Sequence, residues 1–373
     1  MYLLLLLFSM ICGDALALPA ARLALDGHPA GLHRYAREAE AGGPRGRGLA
    51  ESARLAAGML AERQQRPGYW LTAYTDQARF ENPREEMNTF TNAVMIDIAG
   101  PVAQDARITS LIGRTRAFLA SQIEADGLVR YHGRPDAPTI GKLGCVITPD
   151  ADDTALVWRI APDTHRELLS KALAKLAEFR AADGLYRTWL APRDRYKCID
   201  PGQDPNPTDI GIQMHVLMLL AQVDRPAAFA LCGALSKRSS DDGVWVYYKA
   251  APLIPMLRLT DLHNADCALQ LPPSRLRTAV PGQAVWLEVV RLLGRIERAQ
   301  AAPAEYSRAA EVLRRLAARK FSLLKSAPPL LYHNDFTAHV RRFYWSEDVG
   351  YALWLRLYFE SEGAGAPHEP APS

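Results

Sequence analysis

The chain lacks strong charge of either sign, long apolar runs and an abundance of cysteine, and each lack excludes something. Lys and Arg number 44 against 41 Asp and Glu, a net charge of +3 over 373 residues. That balance leaves no electrostatic footprint for a nucleic acid. Five cysteines are too few for a disulfide-stapled scaffold, and 25 glycines with 26 prolines exclude a collagen-like repeat. Aromatic residues make up only 8%, so an aromatic-lined pocket has to be argued locally. There is no P-loop, no dinucleotide-binding glycine fingerprint and no G-x-S-x-G nucleophile elbow. What is present is ordinary globular composition, 49% apolar and 23% charged. Such a chain buries one large core or two modest ones.

The one notable apolar run, residues 3–12, is too short to span a bilayer as a helix. Ala15-Leu16-Ala17 follows it, a small-x-small pattern suited to cleavage before Leu18. The expectation is therefore a signal peptide over 1–17 and an exported protein, although no Lys or Arg precedes the run. Residues 18–47, rich in Ala, Gly and Arg, are expected to form a flexible arm. Residues 361–373, rich in Gly and Pro, are expected to form a disordered tail.

A short motif recurs between these ends. It reads Gln65-Arg66-Pro67-Gly68-Tyr69-Trp70, then Glu124-Ala125-Asp126-Gly127-Leu128, Ala182-Asp183-Gly184-Leu185-Tyr186 and Asp241-Asp242-Gly243-Val244-Trp245. The glycines are 59, 57 and 59 residues apart, a spacing that marks a repeat architecture. Amphipathic helical stretches precede the last three, at 114–123, 165–180 and 228–237. Each glycine is expected to end its helix as a left-handed C-cap. More apolar helices are predicted at 88–98, 153–160, 209–222, 247–262, 283–296 and 347–359. Helices apolar all round belong inside and amphipathic ones outside, though the fifth outer partner, near 266–278, is poorly marked. The expected fold is all-α, a single α6/α6 toroid over 48–360, with 314–325 on the wet face of the sixth outer helix. If the chain is exported, four cysteines remain to pair. Cys145 with Cys198 is favoured because both fall in loops before successive helices, leaving Cys232 for Cys267; four buried thiols are the alternative.

Chemistry concentrates at the start of the second inner helix, Pro149-Asp150-Ala151-Asp152-Asp153-Thr154-Ala155-Leu156-Val157-Trp158. One helix cap needs one carboxylate, and two more remain to be explained. Crowding like charges raises at least one pKa, and a neutral acid facing an apolar cavity is a proton donor. Asp150-Ala151-Asp152-Asp153-Thr154-Ala155 resembles the D-x-D-D-T-A motif of squalene–hopene cyclases and other class II terpene cyclases. The Gly68, Gly127, Gly184 and Gly243 turns are similar to that family's QW repeats.

The resemblance implies Asp152 as the general acid that protonates a terminal alkene or epoxide. Asp150 and Asp153 would orient its proton. It implies an isoprenoid substrate, such as a polyprenyl or triterpene chain, and a proton-transfer step needing no metal or other cofactor. Aromatic faces would stabilise the carbocation, from Phe90, Trp158, Tyr247, Tyr248, Phe343, Tyr344, Trp345 and Tyr351, although each also answers to core packing. His215 is the candidate for the histidine that assists the acid in that family. It stands six residues after Asp209 where four are expected, and at four stands Gln213. The chain also has room for one helical domain where such cyclases use two. A lid from the arm or a second chain would then close the pocket, and the basic stretch at 314–325 offers a membrane-surface contact for substrate delivery.

Other readings stay open. No D-D-x-x-D occurs, because Asp152-Asp153 continues as Thr154-Ala155-Leu156 and Asp241-Asp242 as Gly243-Val244-Trp245. His263, Asp266 and Cys267 have the residue types of a zinc site. Glu347 and Asp348 across the ring from the Asp cluster would suit an exported carbohydrate-active toroid. A toroid that binds an isoprenoid without turnover is a third alternative.

Overall fold

Apolar density sorts the helices into two classes. The computed structural model describes residues 48–77, 80–102, 106–137, 146–161, 166–198, 206–337 and 340–365. The signal segment, the arm and residue 145 lie outside these. Helix α1 is Leu49–Arg63, α2 Thr89–Ala99, α3 Ala106–Ala120, α4 Ala151–Ile160, α5 Arg166–Glu178 and α6 Ile210–Val223. Then come α7 Arg225–Arg238, α8 Leu253–Asn264, α9 Ala284–Glu297, α10 Pro303–Ser326 and α11 Glu347–Gly365. In α6 every residue from Ile210 to Leu220 is buried, whereas α7 buries only Ala228, Leu231 and Leu235. The buried helices contact one another in a closed circuit, α2 on α4, α4 on α6, α6 on α8, α8 on α9, α9 on α11 and α11 back on α2. The amphipathic helices α1, α3, α5, α7 and α10 pack outside them. No helix among the described residues is long and apolar enough to cross a membrane.

The structure departs from four expectations. The fifth outer helix is absent, because 265–283 carries Pro272, Pro273 and Pro281 and is non-helical. Helix α10 is broken at Ala318–Phe321 instead of running straight through 314–325. The fold is also not all-α. Strands β1 (Thr72–Thr75), β2 (Arg84–Glu86), β3 (Leu330–Thr337) and β4 (Val340–Trp345) form an antiparallel sheet of order β2-β1-β4-β3. The runs LLYHNDFT and VRRFYW are rich in aromatic and β-branched residues, which suit strands. The chain remains helical through Gly365, past the start of the expected tail at 361.

The repeat turns are real but are not helix C-caps. Helix α3 ends at Ala120, and Gly127 lies in a tight turn beyond it. There Gly127 N–H donates to Glu124 and Glu124 N–H to Leu128. The same pair of bonds recurs as Gly68 to Gln65 with Gln65 to Tyr69, and as Gly184 to Ala181 with Ala181 to Leu185. Gly243 departs from the pattern and sits in a short 3-10 turn without a positive φ. The Trp158 indole donates to the Gly127 carbonyl at 2.7 Å, pinning one turn onto α4.

Gly127 has φ +82°, and a Cβ there would meet the Leu168 carbonyl oxygen at 2.2 Å. Gly184 has φ +87° but would meet only side-chain atoms, the Ala234 methyl at 3.3 Å and Arg180 Nη2 at 3.4 Å. Gly127→Ala is therefore expected to cost about 3 kcal/mol and Gly184→Ala about 1 kcal/mol, from left-handed strain with and without a backbone clash. Denaturant unfolding of the two variants checks the order.

The Cys232–Cys267 disulfide is formed, with its Cα atoms 5.8 Å apart. It consumes the thiolate that the zinc reading of His263, Asp266 and Cys267 required. No group of three metal-capable side chains occurs among the described residues. The expected partner of Cys198, Cys145, lies outside those residues.

Candidate active site

Helix α4 begins where Asp150 caps it, its side chain accepting the Asp153 N–H at 2.7 Å. That cap fixes the rotation of the first turn and separates the three carboxylates by role. Asp150 and Asp153 are buried, whereas Asp152 keeps 16% of its side chain open. All three line a cavity of about 130 Å³. A void of that size holds roughly a benzene-sized group, so one isoprene unit fits beside the acid.

Aromatic faces make most of the remaining wall: Phe90 from α2, Tyr131 and Trp189 from loops, Tyr247 and Tyr248 before α8, and Tyr332 and Tyr344 from the sheet. Thr188, Ile147, Ile212 and Asn334 complete it. Tyr332 stacks on Tyr344 with ring centroids 4.3 Å apart, and Tyr344 on Tyr74 at 5.6 Å, a cross-strand row over β3, β4 and β1. The sheet therefore supplies a wall of the pocket.

Tyr247 and Tyr248 are delivered by Asp209, the N-cap of α6. Its carboxylate accepts Gly211 N–H at 2.8 Å, Val246 N–H at 2.9 Å and Tyr247 N–H at 3.0 Å. Burial pushes Asp209 up to about 7 against these three donors. At Gly211 a Cβ would lie 2.2 Å from the Tyr248 ring, so glycine allows that ring to lie against α6.

His215 Nδ1 bonds Asp152 Oδ1, and Arg258 Nε donates to His215 Nε2 at 2.8 Å. Arg258 is fully buried and pairs with Asp97 at 2.8 Å and Asp261 at 3.1 Å. Asp97 also pairs with Arg159. These contacts settle the proton arrangement. An arginine donates only, so His215 Nε2 must accept and carries no proton. The imidazole hydrogen then sits on Nδ1 and points at Asp152 Oδ1. Burial, reinforced by Arg258, pushes the His215 pKa well down, which keeps the ring neutral. A proton on Asp152 must consequently occupy Oδ2.

Burial pushes Asp152 up to about 7, with Arg258 opposing, so a substantial share of the acid is protonated near neutrality. Asp153 is likewise pushed up to about 7 by burial, opposed by bonds to Asp150 and to the Thr89 hydroxyl. Burial and Asp153 together hold Asp150 well above the carboxylate range. In the folded protein these acids bind protons more tightly than in the unfolded chain. The stabilising effect of Asp152 and Asp153 is therefore full below pH about 4 and lost as pH rises through about 7.

The structure brings Asp150, Asp152, Asp153, Tyr247, Tyr248, Tyr344 and Phe90 to one cavity, with His215 on the acid. Gln213, the residue at the expected spacing, clamps the backbone of Tyr186 through bonds of 2.7 and 2.8 Å. Other candidates fall elsewhere. Trp158 is buried on the Gly127 turn, Trp345 packs on Phe80, Phe343 stacks on His333 and Tyr351 packs on Phe321. None of these four lines the cavity. Glu347 and Asp348 pair with Arg63 and do not face the Asp cluster across the cavity. Sequence reasoning missed Tyr131, Trp189, Tyr332 and Arg258. The strand-like run at 330–337 was the one available signal, for Tyr332.

No known protein-family pattern matches the chain, and no curated protein does. Solved structures do. Two variants of the type II terpene cyclase MstE from Scytonema, each in complex with geranylgeranyl dihydroxybenzoate as substrate, superpose with TM-scores of 0.50 and 0.51. They are 15% and 12% identical, over 85% of this chain and 98% and 97% of theirs. At that identity the likeness is one of fold: the chain has a mostly helical, class II cyclase-like fold.

Proposed function

We propose that this protein is a protonation-initiated isoprenoid cyclase or isomerase built on an α/α toroid, with Asp152 as its acid. The observation that carries the proposal is the acid itself. Asp152 stands at an aromatic-lined cavity with one oxygen held by a neutral His215 and the other left to carry the proton. The closed circuit of buried helices supports the toroid, although one outer helix of the full set is missing among the described residues.

The reaction begins when the Asp152 Oδ2 proton passes to the terminal carbon of an alkene or to an epoxide oxygen, leaving a carbocation. The His215 Nδ1–H stabilises the carboxylate formed. Phe90, Trp189, Tyr248, Tyr332 and Tyr344 offer ring faces to the cation. Burial pushes the pKa values of Asp150 and Asp153 up, which disfavours a second negative charge beside the acid. The substrate is a neutral or charged isoprenoid whose terminal unit fills the cavity. Export of the protein is proposed with it, supported by the Cys232–Cys267 disulfide.

The test incubates purified protein with squalene, oxidosqualene, geranylgeraniol and geranylgeranyl diphosphate, with products read by gas chromatography–mass spectrometry. A cyclised, isomerised or hydrated product is expected from at least one. Failure to convert any of the four, or chelator-sensitive loss of diphosphate as the first step, would refute the proposal.

A further inference from the structure

A second buried hydrogen-bonded chain reaches the same cavity from the sheet. Glu86, at the end of β2, is 2% exposed. One of its oxygens accepts the Tyr131 hydroxyl at 2.5 Å, and the other faces His132 Nε2 at 3.2 Å. The Tyr131 oxygen also takes a hydrogen bond from Asn88 Nδ2 at 2.9 Å and touches the Tyr332 hydroxyl. Both Tyr131 and Tyr332 line the cavity that holds Asp152.

The direction of this chain follows from counting hydrogens. Asn88 caps α2 by accepting the Thr91 N–H on its oxygen, so its nitrogen is the atom on Tyr131 and donates. Tyr131 has one hydrogen, and it goes to the Glu86 carboxylate. Its contact with Tyr332 is then one in which Tyr332 donates. Every hydroxyl points away from the cavity and toward Glu86, which leaves the Tyr332 oxygen with lone pairs and no hydrogen on its cavity side. A chain so ordered moves a proton inward by hydroxyl rearrangement without displacing a heavy atom.

We propose that Tyr332, Tyr131 and Glu86 form the acceptor for the proton that ends the reaction, an inference that rests on reading Asp152 as the initiating acid. In the final carbocation a C–H bond beside the cationic carbon breaks, and its electron pair becomes the new C=C bond. The proton goes to the Tyr332 oxygen as the Tyr332 hydroxyl proton moves to Tyr131 and that of Tyr131 moves to the Glu86 carboxylate. One proton has then left Asp152 and one has reached Glu86, so the substrate is isomerised with no net gain or loss. Exchange with solvent returns both carboxyl groups to their starting states. Tyr332 and Tyr131 touch the substrate, while Glu86 acts through Tyr131. The product class is accordingly an alkene, not an alcohol.

The test compares the full-length wild type with Glu86→Gln, Glu86→Asp, Tyr131→Phe and Asp152→Asn on squalene and geranylgeraniol. It reads the ratio of alkene to hydrated product, substrate consumption and thermal unfolding. Wild type should yield mainly alkene. Glu86→Gln and Tyr131→Phe should shift the ratio at least tenfold toward alcohol, and Glu86→Asp should restore most of it. Because initiation is untouched, substrate consumption should fall far less than the ratio. An unchanged ratio in both disabling variants overturns the inference, as does a wild type that makes only alcohol. Substrate consumption by Asp152→Asn at the wild-type rate would instead overturn the reading on which it rests, whatever the ratio.

Discussion

Asp152→Asn is expected to lower turnover by on the order of a thousandfold, the scale of a lost general acid, while leaving the fold in place. Asparagine keeps the size and an oxygen that accepts the His215 Nδ1–H, so the bond from α6 to α4 survives. What it loses is the acidic proton on the cavity side. The two proteins should also differ in the pH dependence of their stability. Burial holds the Asp152 pKa up at about 7, so the wild type must bury a charge above that pH. The amide buries none. Wild-type melting temperature should therefore fall relative to the variant as pH rises from about 4 to 7 and level off above that, and the two should converge below about pH 4. Wild-type activity should decline later, from about pH 6 to 8, because only the protonated acid initiates. Calorimetry at several pH values, with turnover measured on the same samples, checks both. A variant that keeps wild-type turnover would remove Asp152 from the mechanism.

Arg258→Met is expected to damage both stability and activity, by separable routes. Arg258 is buried beside Asp97 and Asp261 and donates to His215. Burial pushes the Asp97 pKa up, but Arg258 and Arg159 outweigh it and hold that carboxyl below its ordinary range. Removing one guanidinium leaves the buried carboxylate half-paired, a loss of about 3 kcal/mol. The melting temperature should drop by roughly 5 °C. Activity suffers through His215. With no donor on Nε2 the ring is free to take the other tautomer, and Nδ1 then accepts from Asp152 instead of donating. The acid proton is drawn to Oδ1, away from the substrate, and kcat should fall by about 10- to 100-fold. Pairing the change with Asp97→Asn removes the stranded charge and should recover much of the stability but little of the activity. The 15N shifts of the His215 ring report the tautomer directly. An Nδ1–H tautomer that persists in Arg258→Met would exclude this account.

Several features were legible from the residues alone because their physics is local. Three carboxylates at the head of an apolar helix exceed what one cap requires, and that surplus marked Asp150, Asp152 and Asp153 before any geometry was known. Helices α2 and α6 were visible as nearly unbroken apolar runs, since a segment with no polar face has nowhere to go but inside. The Gly127 and Gly184 turns were visible through spacing. Misplacing them as helix caps was a matter of a few residues, because Asp-Gly marks a turn without saying how far the preceding helix runs.

Tertiary structure decided the rest. His215 and Gln213 are two residues apart on one helix, and nothing local says which meets Asp152. Rotation of α6, set by the Asp209 cap and the clamp on Tyr186, assigns His215 to the acid and Gln213 to a neighbouring turn. Trp158 shares a helix with the acids yet points at Gly127, because a helix presents successive residues to different neighbours. Arg258 was indistinguishable in sequence from a surface arginine until Asp97 and Asp261 were brought beside it. The pocket wall shows the same limit most clearly. Tyr131, Trp189 and Tyr332 come from segments distant in sequence and converge only where loops and the β2-β1-β4-β3 sheet meet the helix ends. Composition and periodicity identify what a segment buries; which partners it finds there depends on packing between segments, and no single segment contains that information.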